Sequence, residues 1–364
     1  MNIDSKKSVF KHKSILMMKT QLIAFMIMFV FAGTLKSQVT DTVRVGRQDR
    51  MLAERAYNDG ISLYHNQKLN ESMQKFNEAI ALRPNFVEAY YNRGVVKAET
   101  GDFPGAMDDF DIALKAKPGF AMAYFARGKA RMDNDEKLAA KKDFTGAIES
   151  NNRLYFAYYY RGILFMDGEN YDQAIEDFTA AINIRADFAH AYNDRGSARK
   201  LKGEIQAAIS DYQQAVLLDP GMALAYNNLG TIRLELEQYN QAHELFTTAI
   251  NLSPGYEKAL NNRAIANLKL GRLDMAMEDI DKVLEGGPEN YTALTTRGMI
   301  KYRIQDYEGA AADYTHAIRI NPVYAPAYLN RGIAREMLRD PRGAQLDWEK
   351  AVSLGITRAS EYLE

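Results

Sequence analysis

Apolar residues return along this chain at helical spacing, in two blocks separated by a short polar break, and the pair of blocks recurs every 34 residues. Units counted from position 1 start at Ala53, Val87, Ala121, Tyr155, Ala189, Ala223, Glu257, Tyr291 and Ala325. Positions 1–14 and 18–30 of each carry apolar residues three and four apart, the spacing of one helix face. Glycine at position 15 (Gly101, Gly203, Gly271) suits the left-handed end of a first helix. Proline at position 32 (Pro84, Pro118, Pro220, Pro254, Pro288, Pro322) stops the second, because it has no N–H to donate and restricts the residue before it. The pattern therefore predicts nine helix pairs over 53–358.

Three columns explain how such a pair packs. Position 8 is Gly in every unit but the seventh, which has Ala264; position 20 is Ala from Ala106 to Ala344; position 24 is aromatic from Phe76 to Trp348, except Ile280. Small residues at 8 and 20 allow two backbones to approach, and the ring at 24 fills the space beside them. One pair has no complete interior, so it must share one with its neighbours.

The recurring Tyr at position 4, Gly at 8, Ala at 20 and 27 and Pro at 32, held in register without an insertion, resemble the tetratricopeptide repeat family over the whole repeat region. The resemblance implies an all-α fold, a right-handed superhelical solenoid of nine helix-turn-helix repeats. It also implies a non-enzymatic scaffold that holds a partner protein or extended peptide in a concave groove.

Position 7 departs from the family, which favours leucine there. It is Arg93, Arg127, Arg161, Arg195, Arg263, Arg297 and Arg331, and in the same units position 23 is Asp109, Asp143, Asp177, Asp211, Asp279, Asp313 and Asp347. The sixth unit has Leu229 and Leu245 instead, and the first reverses the charges with Asp59 and Lys75. Matching within a unit holds throughout, whereas matching position 23 to the next unit's position 7 fails three times, so an Arg–Asp bridge between the two helices of one repeat is expected. An anion-binding arginine stripe is the alternative.

The ends differ from the repeats. Lysines from Lys6 to Lys19 precede an apolar run, Leu22–Ala32, and then small and polar residues to Ser37. This order predicts a signal peptide over 1–37 and an exported, periplasmic protein. The run is short for a membrane span of about 20 residues, and an uncleaved anchor is the alternative. Residues 38–52 are expected to be a polar lead-in, and 359–364 a short capping tail.

Composition removes several functions. There is no cysteine, hence no disulfide or thiolate site, and a net charge of −1 gives no support to nucleic acid. No phosphate-binding loop or paired-histidine zinc motif occurs. Downstream of residue 37, His65, His190, His243 and His316 sit in separated units at different positions. No catalytic residue, metal or cofactor is expected.

Carried over by register, the family's groove positions 2, 5, 6, 9, 12 and 13 give an aromatic N-terminal half, with Tyr57, Tyr91, Phe125 and Tyr159 at position 5. They give an amide-rich centre, with Asn193, Asn227 and Asn261 at position 5 and Asn92, Asn228 and Asn262 among those at position 6. Rings suit apolar or proline-rich peptide, or sugar, and amides suit a peptide backbone. The alternative is that the rings pack on their neighbours and the amides act locally. The charges divide too: Glu54, Glu88, Glu99, Asp133 and Asp167 oppose Lys129 in the first half, and Lys258, Lys269 and Arg303 oppose Glu336 later. Other functions that fit are a glycan- or peptidoglycan-binding module and an accessory subunit of an envelope enzyme or secretion complex.

Overall fold

The structure, a computed structural model, describes residues 46–363, and all regular structure among them is helical. The expected signal peptide and most of the lead-in lie outside the described residues. In chain order the helices are α1 (Arg47–His65), α2 (Leu69–Leu82), α3 (Val87–Glu99), α4 (Phe103–Ala116), α5 (Ala121–Asp133), α6 (Lys137–Ser150), α7 (Tyr155–Asp167), α8 (Tyr171–Ile184) and α9 (Ala189–Leu201). They continue as α10 (Ile205–Leu218), α11 (Ala223–Glu235), α12 (Tyr239–Leu252), α13 (Glu257–Lys269), α14 (Leu273–Gly286), α15 (Tyr291–Arg303), α16 (Tyr307–Ile320), α17 (Ala325–Met337) and α18 (Pro341–Ser353). A 3₁₀ turn, Thr357–Tyr362, follows. The predicted helix limits hold to about a residue, except that α1 reaches back to Arg47 and takes up part of the expected lead-in.

Each first helix ends the same way. Position 15 is left-handed in every repeat: Gly101, Gly203 and Gly271 adopt it, and so do Gln67, Asp135, Glu169, Glu237, Gln305 and Arg339 at φ of 59–67°. The N–H of position 16 then reaches the position 11 carbonyl, as Asp102 does to Lys97 at 2.9 Å, and position 15 reaches position 12, as Gly101 does to Ala98 at 3.2 Å. These paired bonds satisfy carbonyls a helix end would leave open. Glycine is the signal visible in the sequence, and the hydrogen bonds impose the same conformation on side chains that resist it.

Within a repeat the ring at 24 lies on the glycine at 8. A Cβ on Gly94 would come within 2.8 Å of Phe110, and one on Gly298 within 2.5 Å of Tyr314. The one repeat with Ala264 has Ile280, a smaller side chain, in the ring's place, and both are fully buried. At the last repeat Trp348 stacks on Tyr362 at 5.0 Å, so the short 3₁₀ segment after α18 covers a ring.

The chain divides into two compact units, one ending at Lys202 and the other beginning at Gly203. In the N-terminal unit one continuous apolar core runs from Ala53 to Ala198. In the C-terminal unit the fully buried apolar residues fall into smaller clusters, among them Leu229 with Tyr212 and Ile232, Phe246 with Ala242 and Ala266, and Ile280 with Leu268 and Ile300, some of them joined only through partly buried residues such as Leu284 and Met299. Within each unit successive first helices touch, as α1 does α3 and α13 does α15, while successive second helices touch less. The first-helix face is thus the inner side of each stack.

Candidate functional site

The rings at position 5 are interior. Tyr91 and Phe125 are fully buried, and Tyr57 and Tyr159 nearly so. Each packs on the position 24 ring of its own repeat, the three tyrosines also on the position 34 ring that leads into the next repeat, and Phe125 also on Phe156 and Tyr160 of the next repeat. Tyr91 is 6.3 Å from Phe110 and 5.1 Å from Phe120, and Tyr159 is 5.7 Å from Phe178 and 4.8 Å from Phe188. These rings form the seam between repeats and offer no open face to a sugar. A helical period identifies position 5 as apolar but does not say which flank it faces. The position 34 rings escape a reading by periodicity because they sit in the connecting turn, outside the helical pattern. Burial pushes the phenols of Tyr57, Tyr91 and Tyr159 well above their usual pKa, with nearby Glu88 adding to the first and Asp194 to the last.

The amides are engaged in the same seam. Asn92 Nδ2 donates to the Tyr57 hydroxyl at 2.9 Å, Asn262 Nδ2 to Asn227 Oδ1 at 3.0 Å, and Thr296 Oγ1 to Asn261 Oδ1 at 2.8 Å. Tyr159 likewise donates to Asp194 Oδ2 at 2.7 Å, and Asn193 Nδ2 to Asp194 Oδ1 at 2.9 Å. In each inter-repeat bond, position 6 of one repeat meets position 5 of the repeat before it. Asn92, Asn193, Asn227 and Asn228 are buried, and Asn261 and Asn262 half-buried. The ladder expected to face a peptide is largely a set of rungs between repeats. Two amide atoms, Asn92 Oδ1 and Asn227 Nδ2, are buried without a partner.

The arginine column makes two connections. Arg93, Arg161, Arg263, Arg297 and Arg331 each form a fork to the aspartate of the same repeat: Nη2 reaches Asp109, Asp177, Asp279, Asp313 and Asp347 at 2.6–2.8 Å. Arg127 binds Asp143 at 2.6 Å. Arg195 and Asp211 lie one in each unit. The remaining guanidinium nitrogen reaches back to position 25 of the preceding repeat. Arg93 meets Asn77 at 2.7 Å, Arg161 meets Thr145, Arg263 meets Thr247 and Arg331 meets Thr315, each at 3.1 Å, Arg195 meets Thr179 at 3.0 Å, and Arg127 meets Asp111. An arginine with both connections ties three helices. In five repeats it also lies over the position 4 tyrosine one turn earlier, as Arg93 does over Tyr90 at 5.3 Å. In the first repeat Lys75 pairs with Glu78 at 2.6 Å, and no ion pair joins it to Asp59. In the sixth, Leu229 and Leu245 pack together.

A second cation, at position 11, supports some of these aspartates: Lys97 on Asp109, Arg131 on Asp143, Lys301 on Asp313 and Arg335 on Asp347, at 2.7–2.9 Å. Position 11 of the fourth repeat is Phe165, so Asp177 has Arg161 alone, and burial holds its carboxyl above the usual range despite that arginine.

What the inner face leaves accessible is therefore a smaller set than the groove register suggests. In the N-terminal unit its charges are largely paired: Asp133 with Lys129 at 2.6 Å, Asp167 with Lys137 at 3.0 Å, and Glu99 with the Tyr64 hydroxyl. In the C-terminal unit Ile265, Met299 and Ile333, at position 9 of consecutive repeats, are partly exposed in a row, with exposed Lys269 and Arg303 beside them.

Compared with known proteins, residues 60–101 match a family described as TPR repeat. Residues 125–190, 159–223 and 227–291 match one described as tetratricopeptide repeat, and residues 291–324 another of the same description. No curated protein matches the chain. Among solved structures it is similar to a tetratricopeptide repeat protein from Parabacteroides merdae, at 18% identity and a TM-score of 0.57, over 67% of this chain and 97% of that one. It is also similar to a chain of the APC/C hetero-tetramer Cut9-Hcn1, at 16% identity and a TM-score of 0.57, over 79% of this chain and 58% of that one. These likenesses are of fold, and they agree with the repeating helix pairs. By its repeats and by the family matches that run through them, the chain belongs to the tetratricopeptide repeat family.

Proposed function

We propose that this protein is an interaction scaffold that holds a polypeptide segment of a partner on the inner, first-helix face. The observation that carries this reading is the row Ile265, Met299 and Ile333, which stays partly exposed on consecutive first helices of the C-terminal unit. An apolar residue repeated at position 9 of three consecutive first helices offers a ribbon of contact matched to an extended chain. The buried position 5 rings withdraw the basis for a glycan partner. The signal-peptide pattern in residues 1–37 supports an exported location for the same role.

Site-specific photocrosslinking in the native cell tests this. A crosslinker placed at Ile265, Met299 or Ile333 should capture a discrete polypeptide. The same group at Leu217 or Leu346, exposed on second helices, should not. Capture from the second-helix positions alone would overturn the reading.

A further inference from the structure

The C-terminal unit has a recess of about 220 Å³ on its inner face. Leu268 and Tyr314, both buried, contribute apolar lining, as do the partly exposed Met299 and Ile333. Lys269 and Arg303 complete it, each at the last residue of its first helix, one repeat apart. The volume is below the ~300–1,000 Å³ of sites that enclose a drug-sized molecule, and it suits one large side chain presented by a chain lying across it. Methionine in the wall can adjust to the shape of what enters.

The charge around the recess is unusual for this molecule. At position 13 of the N-terminal unit, Glu99, Asp133 and Asp167 each have a partner side chain. Lys269 and Arg303, at the same position later in the chain, have no ion pair and no side-chain hydrogen bond among the described residues, and both are exposed. Burial raises the pKa of the lining Tyr302 hydroxyl, with Tyr307 and then Glu336 adding to it. Lys269 and Arg303 thus rim an apolar depression without an acid among its lining residues. Cations at helix C-termini also complement the backbone dipole, but that role explains neither the recess between them nor their lack of partners.

We propose that this recess is a specificity site for an acidic segment of a partner polypeptide, taking an apolar side chain while flanking aspartates or glutamates pair with Lys269 and Arg303. The proposal rests on the scaffold reading above and names the chemistry it selects. Arginine can grip a carboxylate through two parallel bonds, and the lysine adds a mobile point charge. Opposite charge at the rim would also steer the segment into place.

The test is a random-peptide array probed with the full chain and three variants of it: Lys269→Glu/Arg303→Glu, the milder Lys269→Gln/Arg303→Gln, and Arg342→Glu, which changes charge on the exposed surface of α18. Melting curves establish that each variant is folded. The expected result is enrichment of peptides with Asp or Glu within two residues of a large apolar side chain. That signal should drop at least tenfold in the Gln variant, shift to Lys- and Arg-flanked peptides in the Glu variant, and persist in Arg342→Glu. Enrichment that ignores the changes at 269 and 303 would overturn this proposal and leave the scaffold reading standing. An equal effect of Arg342→Glu, or enriched peptides that lack acids, would overturn it in the same way. No enrichment at all, together with no crosslink from the inner face, would overturn both.

Discussion

The two units solve the same packing problem with different chemistry. In the N-terminal unit position 5 is a ring in four consecutive repeats, and the apolar core is unbroken from Ala53 to Ala198. In the C-terminal unit the same position holds Asn227 and Asn261, joined to the next repeat by one hydrogen bond each, and the fully buried core is divided into smaller clusters, some joined only through partly buried residues. A buried ring contributes about 1.5–3 kcal/mol through area removed from water, whereas a typical hydrogen bond contributes about 1 kcal/mol net. Stability in a repeat array is close to a sum of repeat terms and nearest-neighbour terms. The ring-built unit is therefore the more cohesive one, and the amide-built unit is the one whose inner face carries the row Ile265, Met299 and Ile333 beside exposed Lys269 and Arg303.

The largest expected effects fall on the rings. Phe125→Ala should lower stability by about 3–5 kcal/mol, the range for removing a buried aromatic, while Asn227→Ala, which removes a single bond to Asn262, should cost only about 1 kcal/mol. Urea melts followed by circular dichroism read both, and equal losses would break the contrast between the units.

Next come the arginines, which should behave alike in both units. Arg161→Leu strands Asp177 without a second cation and should cost about 3 kcal/mol or more. Arg263→Leu should cost as much, since position 11 of that repeat is Asn267 and offers Asp279 no charge. Arg127→Leu should cost less, because Arg131 still holds Asp143 at 2.7 Å. The double change Arg161→Leu/Asp177→Leu should recover most of the loss, because it removes both charges together. A cost that follows the unit rather than the residue at position 11 would show that the difference between the units is not confined to the seam.

The smallest effects concern the left-handed turns. Glu169→Gly in one unit and Gln305→Gly in the other should each stabilise by about 0.5–1 kcal/mol, since glycine accepts positive φ without the Cβ penalty. Gly101→Ala and Gly271→Ala should each cost about 1 kcal/mol for the same reason. These changes are read as shifts in thermal midpoint, and they should not differ between units.

Much of this arrangement is legible in the chain because the repeats align against one another. The Gly–ring contact shows as two columns that change together at Ala264 and Ile280, and the Arg–Asp bridge as two columns lost together at Leu229 and Leu245. The arginine's second connection is harder to see, since its acceptors at position 25 are Thr145, Thr179, Thr247 and Thr315 but also Asn77 and Asp111, which share a lone pair and not a residue type. Register in the family places the position 5 residues near the groove. Only the positions of the rings at 24 and 34 reveal that they face the next repeat. The six non-glycine residues at position 15 carry no signal, because the turn is set by backbone bonds that any residue can donate to or accept.

Native-state hydrogen exchange, followed by mass spectrometry on fragments of each helix, tests the difference in cohesion most directly, because amide protection reports local opening free energy. The helices of the ring-built seam, α3 to α8, should be the most protected, and α11 to α16 should exchange by openings of lower free energy. Protection that is uniform along the chain, or that peaks in α11 to α16, would contradict the account.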